Sequence, residues 1–214
     1  MSVTFPKGFR AAGVVAGLKA SGKPDVALVV NDGPEFVSAG VFTSNRIKAA
    51  PVLWTQQCNN NGSFRAVVLN SGGANACTGP EGFADTHHTA ELVAELLEIG
   101  AIDVAVCSTG LIGKRLPMEK LVAGVKQAHP SLAADGGNDA ATAIMTTDSV
   151  AKTATFTSPE GWSIGGMAKG AGMLAPGLAT MLVVITTDAQ IDKSIADSAL
   201  RHATRLSFDR IDSD

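Results

Sequence analysis

Lys169-Gly170-Ala171-Gly172-Met173-Leu174-Ala175-Pro176-Gly177-Leu178-Ala179-Thr180-Met181-Leu182-Val183-Val184-Ile185-Thr186-Thr187-Asp188 joins two unlike segments. The first half is glycine-rich and small, and Pro176-Gly177 punctuates it as a turn. The second half, Met181 to Ile185, is a short apolar run with β-branched residues, the pattern of a buried strand. Thr180 stands where loop becomes strand. A hydroxyl there has rigid support behind it and an uncrowded backbone in front, which suits a nucleophile. Threonine also opens ordinary strands, so the local residues leave both readings open.

The same alternation of strand and small-residue loop occurs twice upstream. Ala66 to Leu69 reads as a buried strand and leads into Asn70-Ser71-Gly72-Gly73-Ala74-Asn75-Ala76-Cys77-Thr78-Gly79. Val104 to Cys107 reads as a strand and leads into Ser108-Thr109-Gly110-Leu111-Ile112-Gly113. Loops that leave buried strands are where sites are built. Around them, Ala12–Ala16 and Val26–Val30 form a hairpin, and Lys152–Thr157 pairs with Gly161–Met167. Helices are expected over 84–99, stopped by Gly100, over 117–128, ending before Pro130, and over 192–206, capped by Asp192. Residues 140–145 fit helix and strand equally. His87 and His88, near the start of the 84–99 helix, read as surface or capping residues. His202 reads as a packing or semi-buried residue on the last helix. Strands alternating with helices throughout give an α/β class with layered sheets and helices.

Composition narrows the function. Of 214 residues, 45% are apolar and 17% charged, so a substantial core forms. A net charge of -3 argues against a nucleic-acid partner, because phosphate binding needs a basic surface. No run of about 18 apolar residues is present, so no membrane span is expected. The opening Met1-Ser2-Val3-Thr4-Phe5-Pro6-Lys7 lacks the apolar core of a signal peptide. Cys58, Cys77 and Cys107 form no CxxC pair, which fits reduced thiols in the cytoplasm.

The three loops at 70–79, 108–113 and 169–180 offer hydroxyls and backbone N–H groups, but no carboxylate pair and no metal-ligand cluster. That set suits acyl transfer with an oxyanion hole better than glycoside or metal chemistry. Gly113-Lys114 lacks the earlier glycine of a phosphate loop, since Ser108 occupies that place. Gly170-Ala171-Gly172-Met173-Leu174-Ala175 matches a loose GxGxxA pattern, but a turn and a strand follow it instead of a helix. A threonine nucleophile needs a base. Cutting the chain between Ala179 and Thr180 supplies one, because the new α-amine has a pKa of about 8.

Taken together, these motifs resemble a known family. Lys169 through Leu182 is similar to the self-cleavage site of the ornithine acetyltransferase (glutamate N-acetyltransferase, ArgJ) family. Further matches are Phe42-Thr43-Ser44-Asn45 with Ala50-Pro51-Val52, the Asn70–Gly79 and Ser108–Gly113 loops, and Thr146-Thr147-Asp148. They run in order along essentially the whole chain. Gly73 departs from the pattern, because many members have an asparagine there.

The resemblance implies a self-processing α/β precursor of the ArgJ/DmpA-like type, cleaved at Ala179–Thr180. Thr180 would take an acetyl group from N-acetylornithine and pass it to glutamate, without a bound cofactor. Some members also use acetyl-CoA as donor. Thr109 and Gly110 would form the oxyanion hole, and Thr147, Lys169 and Thr180 would contact substrate, with no metal. Residues 1–179 would be the first (α) chain and 180–214 the opening of the second (β) chain, assembled as a heterotetramer of two copies of each. In the family, a segment like Asp212-Ser213-Asp214 leads into further site residues, including a substrate-binding glutamate. The expectation is therefore that this chain stops short of the whole site. Competing expectations are a related amidase or aminopeptidase with an N-terminal nucleophile, and an inactive truncated fragment.

Overall fold

Val26 to Val30 is apolar at every position, so a strand built from it must be covered on both faces. The structure, a computed structural model, describes residues 2–175 and 177–213. Pro176, half of the expected turn, lies outside the described residues. Strand β2 (Val26–Asn31) sits inside a four-stranded sheet of order β1-β2-β3-β4, with β1 (Phe9–Val14), β3 (Ala66–Asn70) and β4 (Val104–Ser108). Strand β2 is antiparallel to both neighbours, whereas β3 and β4 are parallel.

Successive side chains of these strands enter opposite cores. Val26, Leu28 and Val30, with Val68, Val104 and Val106, pack under helices α1 (Ala50–Cys58), α2 (Gly79–Leu97) and α3 (Met118–Ala128). Ala27, Val29 and Leu69 face the other way, onto α4 (Gly137–Ala143). Met167 and Val184 close this second core. They come from an antiparallel three-stranded sheet, β5 (Lys152–Thr157), β6 (Ser163–Lys169) and β7 (Leu182–Thr187). Helix α5 (Lys193–Leu206) follows, with Asp192 capping it by accepting the Ile195 N–H at 2.9 Å. This is the layered α/β arrangement expected from the sequence.

Helix α1 shields the open edge of β4 with side-chain bonds. Trp54 Nε1 donates to the Val104 carbonyl at 3.0 Å. Thr55 Oγ1 donates to the Val106 carbonyl at 2.8 Å and accepts the Val106 N–H at 3.0 Å. An edge strand otherwise presents unpaired backbone groups.

Several expectations change. Strand β1 is Phe9–Val14 instead of 12–16, because Ala16 N–H leaves the ladder for the buried Asp25 carboxylate. Helix α2 begins at Gly79, so His87 and His88 lie in its middle and cannot cap it. Both are exposed, as expected of surface residues, and His87 rests on Trp54 with ring centroids 4.9 Å apart. Residues 137–143 are helix. His202 is exposed, not packed, because no described residue covers that face of α5. Strand β6 runs to Lys169, which places this lysine on rigid strand and not in the glycine-rich loop.

Candidate active site

Three strand ends build the site. Asn70 and Ser108 are register partners at the ends of β3 and β4, and Asn70 Nδ2 donates to Ser108 Oγ at 2.6 Å. The next amide, Thr109 N–H, donates to the Asn70 carbonyl at 3.0 Å. Thr109 is thereby fixed and buried. Asn70 Oδ1 is buried beside it with no partner among the described residues.

Gly110 follows with φ of 131°. A Cβ there would meet the Gly73 amide nitrogen at 2.8 Å, so this contact between loops requires glycine. The Gly73 loop is itself rigid. Ala74 N–H donates to the Leu111 carbonyl at 2.9 Å, and Gly113 N–H to the Ala76 carbonyl at 2.8 Å. Asn75 and Cys77 are held at positive φ of 49° and 57°. The buried Asn75 side chain binds the Gly82 carbonyl at 2.8 Å and Thr86 Oγ1 at 2.9 Å, which offsets the strain. The Gly110 N–H meets no acceptor among the described residues.

Lys169, the last residue of β6, is 5% exposed. Its Nζ donates to Thr109 Oγ1 at 3.3 Å. An ammonium carries three N–H donors, and no second acceptor for it is present among the described residues. Burial pushes the Lys169 pKa down; the Asp148 charge opposes this, and the Lys152 charge adds to it.

Asp148 is the acid behind the lysine. It accepts Gly170 N–H at 2.8 Å, Thr146 N–H at 3.2 Å and the Lys152 ammonium. Burial alone pushes its carboxyl up, but hydrogen bonds from Lys152, Gly170 and Thr146, with the Lys152 charge, hold it at about 2. Through Asp148 the segment carrying Thr147 is pinned beside Gly170. Thr147 itself is exposed, with no hydrogen-bond partner among the described residues.

Thr180 lies on the loop that closes the β6–β7 hairpin. Lys169 pairs with Leu182, so Thr180 is two residues from the strand pair that contains the lysine. Thr180 is exposed and bonded to no described residue. Thr109 and Lys169 are thus in direct contact, Gly110 is adjacent, Thr147 is tied in through Asp148, and Thr180 stands on the loop that leaves the Lys169 strand end. Chemically, a hydroxyl, an unpaired amide and a buried ammonium around Thr109 can stabilise negative charge. Asp148 joins these residues although sequence alone marks it only as the last residue of Thr146-Thr147-Asp148. Its signal was position, directly after Thr147.

Other candidates do not join this site. Burial pushes the Cys107 thiol up to about 12, which leaves it inert. Among the described residues no group of three or more His, Cys, Asp or Glu side chains could hold a metal ion. Among them, too, no helix is long and apolar enough to cross a membrane.

Comparison with known proteins fits this geometry. The family model described as ArgJ family matches residues 10–214. The arginine biosynthesis bifunctional protein ArgJ of Streptomyces coelicolor is 65% identical over 214 residues, covering 100% of this chain and 56% of that protein. The Mycobacterium tuberculosis protein of the same name is 62% identical over 221 aligned positions, covering 99% of this chain and 54% of that protein. The chain therefore spans about half the length of the curated relatives it matches. Among solved structures, ornithine acetyltransferase from M. tuberculosis complexed with ornithine has a TM-score of 0.81 and 61% identity, over 85% of this chain and 96% of that one. ArgJ from Bacillus halodurans has a TM-score of 0.75 and 36% identity, over 85% of this chain and 95% of that one.

Proposed function

This chain belongs to the ArgJ family, and from that premise we propose that the full-length protein is a glutamate N-acetyltransferase of arginine biosynthesis that first cuts itself at Ala179–Thr180. In the cut, Thr180 Oγ1 attacks the Ala179 carbonyl carbon and the C–N bond breaks to leave an ester. Water hydrolyses the ester, giving an Ala179 carboxylate and a free Thr180 amine. That amine then takes the proton of its own hydroxyl. The hydroxyl attacks the acetyl carbonyl of N-acetylornithine, and ornithine leaves with the proton. The acetyl ester passes to the amine of glutamate, forming N-acetylglutamate and restoring Thr180.

The observation that carries this reading is the Lys169–Thr109 contact at the strand end from which the Thr180 loop leaves. Thr109 Oγ1 and Gly110 N–H are suited to an oxyanion. The spare donors of Lys169, with Thr147 and Thr180, are suited to an amino-acid substrate, Lys169 binding its carboxylate. The ornithine complex of the mycobacterial relative supports an amino-acid ligand. Chain lengths support the cut. The solved mycobacterial chain is almost wholly covered at 96%, whereas 54% of the curated mycobacterial protein is covered. A chain of about half length is what cleavage leaves.

On this reading 1–179 becomes one chain and 180–214 opens the next. The β6–β7 ladder then joins two polypeptides, since β6 precedes the cut and β7 follows it. Two copies of each chain form a heterotetramer in the cytoplasm. No resident cofactor is needed; acetyl-CoA serves as an alternative donor.

The test is intact mass and product analysis of the full-length protein. Two fragments, the second beginning at Thr180, and glutamate-dependent N-acetylglutamate are expected. Thr180→Ala abolishes both. Acetate released without a glutamate requirement would instead identify a hydrolase.

A further inference from the structure

The Phe42-Thr43-Ser44-Asn45 segment has no part in the chemistry above, yet it grips the Thr180 loop from more than 130 positions away. The Gly177 carbonyl accepts three hydrogen bonds: Ser44 N–H at 2.7 Å, Thr43 Oγ1 at 2.8 Å and Ser44 Oγ at 2.9 Å. The Leu178 carbonyl accepts Asn45 Nδ2 at 3.1 Å. The donors are themselves oriented. Thr43 Oγ1 accepts Asn45 N–H at 3.2 Å, and Asn45 Oδ1 accepts Ile47 N–H at 2.9 Å. The latter bond also fixes which face of the amide points at Leu178.

The grip stops one residue short of the scissile bond. No described donor reaches the Ala179 carbonyl, while the Ala179 N–H is bound to the Ala175 carbonyl at 3.3 Å. Two successive carbonyls are held and the third is left open, next to the Thr180 hydroxyl. The approach is close: Gly177 has φ of +70°, and a Cβ there would meet Ser44 Oγ at 3.1 Å.

We infer that Thr43, Ser44 and Asn45 are positioning residues for self-cleavage: they hold the 177 and 178 peptide groups so that the Ala179 carbonyl is presented to Thr180. This rests on the cleavage proposed above. Residues 43–45 and 177–179 lie on the same side of the cut. After cleavage the clasp therefore keeps the new carboxylate end on its own chain, apart from the Thr180 amine. Its contribution falls on processing, and acetyl transfer per cleaved molecule does not depend on it.

The experiment follows cleavage of the full-length protein over time by intact mass. Thr43→Val keeps the shape and removes the hydroxyl. Asn45→Asp keeps the acceptor for Ile47 N–H but faces the Leu178 carbonyl with an oxygen. Each is expected to slow cleavage at least tenfold, and Thr43→Ser to restore it to within about twofold, with unchanged Tm. Acetyl transfer, normalised to the cleaved fraction, stays within about threefold of the unsubstituted protein. Cleavage at the normal rate in both variants overturns the clasp and leaves the proposed function standing. So does slowing that follows a fall in Tm and is equal for Thr43→Val and Thr43→Ser. An unsubstituted protein that never cleaves overturns the proposed function as well.

Discussion

The Lys169 ammonium donates to the Thr109 hydroxyl at 3.3 Å, joining residues 60 positions apart. Thr109 follows the last strand of the first sheet, and Lys169 ends the middle strand of the second. The contact stitches the two sheets together at the ends from which the site loops leave. It also sets a buried cation against the Thr109–Gly110 turn.

Replacing Lys169 by methionine keeps the length and removes the charge. A charge-assisted hydrogen bond to a substrate carboxylate contributes about 1.5–3 kcal/mol, roughly ten- to hundredfold in affinity. Lys169→Met is expected to raise KM for N-acetylornithine by that factor, with a smaller effect on kcat. Steady-state kinetics measure it, and an unchanged KM would count against substrate binding by this residue.

At Gly110, alanine meets both a positive φ and the Gly73 amide. Gly110→Ala is expected to destabilise by about 1–3 kcal/mol, seen as a lowered Tm in calorimetry. Thr109→Val keeps the shape but takes from the buried Lys169 ammonium its acceptor, so a lowered Tm is expected, and kcat falls by roughly 10²–10³ if the hydroxyl serves the oxyanion. Equal Tm values for Gly110→Ala and the parent protein would show that the Gly73 loop yields.

The Asp148 carboxyl is held at about 2 against an ordinary 3.8. A depressed carboxyl adds stability that is complete above its unfolded pKa and lost as pH falls through the folded one. Urea unfolding should therefore show a loss of about 2 kcal/mol from this group between pH 4 and pH 2. Asp148→Asn lowers stability at pH 7 and flattens that acid slope. A slope identical in the variant contradicts the assignment.

With the Thr180 amine as base, kcat/KM rises with pH while the amine loses its proton, then levels above a pKa of about 8. Thr180→Ser keeps the hydroxyl and is expected to cleave and transfer more slowly. A flat profile from pH 6 to pH 9 would place the base elsewhere.

Some elements were legible because local chemistry decides them. The all-apolar run at Val26–Val30 and the glycine loops after β3 and β4 follow from side-chain pattern and turn chemistry. Helix α1 was not legible. Its apolar residues follow no helical stripe, and Trp54 and Thr55 point at the β4 edge through their polar atoms. The start of α2 is not legible because Gly79, Pro80 and Gly82 continue the turn composition of the loop. The apolar stripe of α5 predicts a packed or semi-buried His202, but that face is exposed.

The sequence by itself determined the order of strands and loops, the chemistry each loop can offer, and through its motifs the family and the position of Thr180. Tertiary structure alone decided which of those groups meet. Asp148 behind Lys169, Gly110 against Gly73, and Thr43–Asn45 on the Gly177 and Leu178 carbonyls are all pairings between distant segments. Such pairings depend on sheet register and layer packing, which fix where a strand end points but leave no periodic signal in the residues themselves.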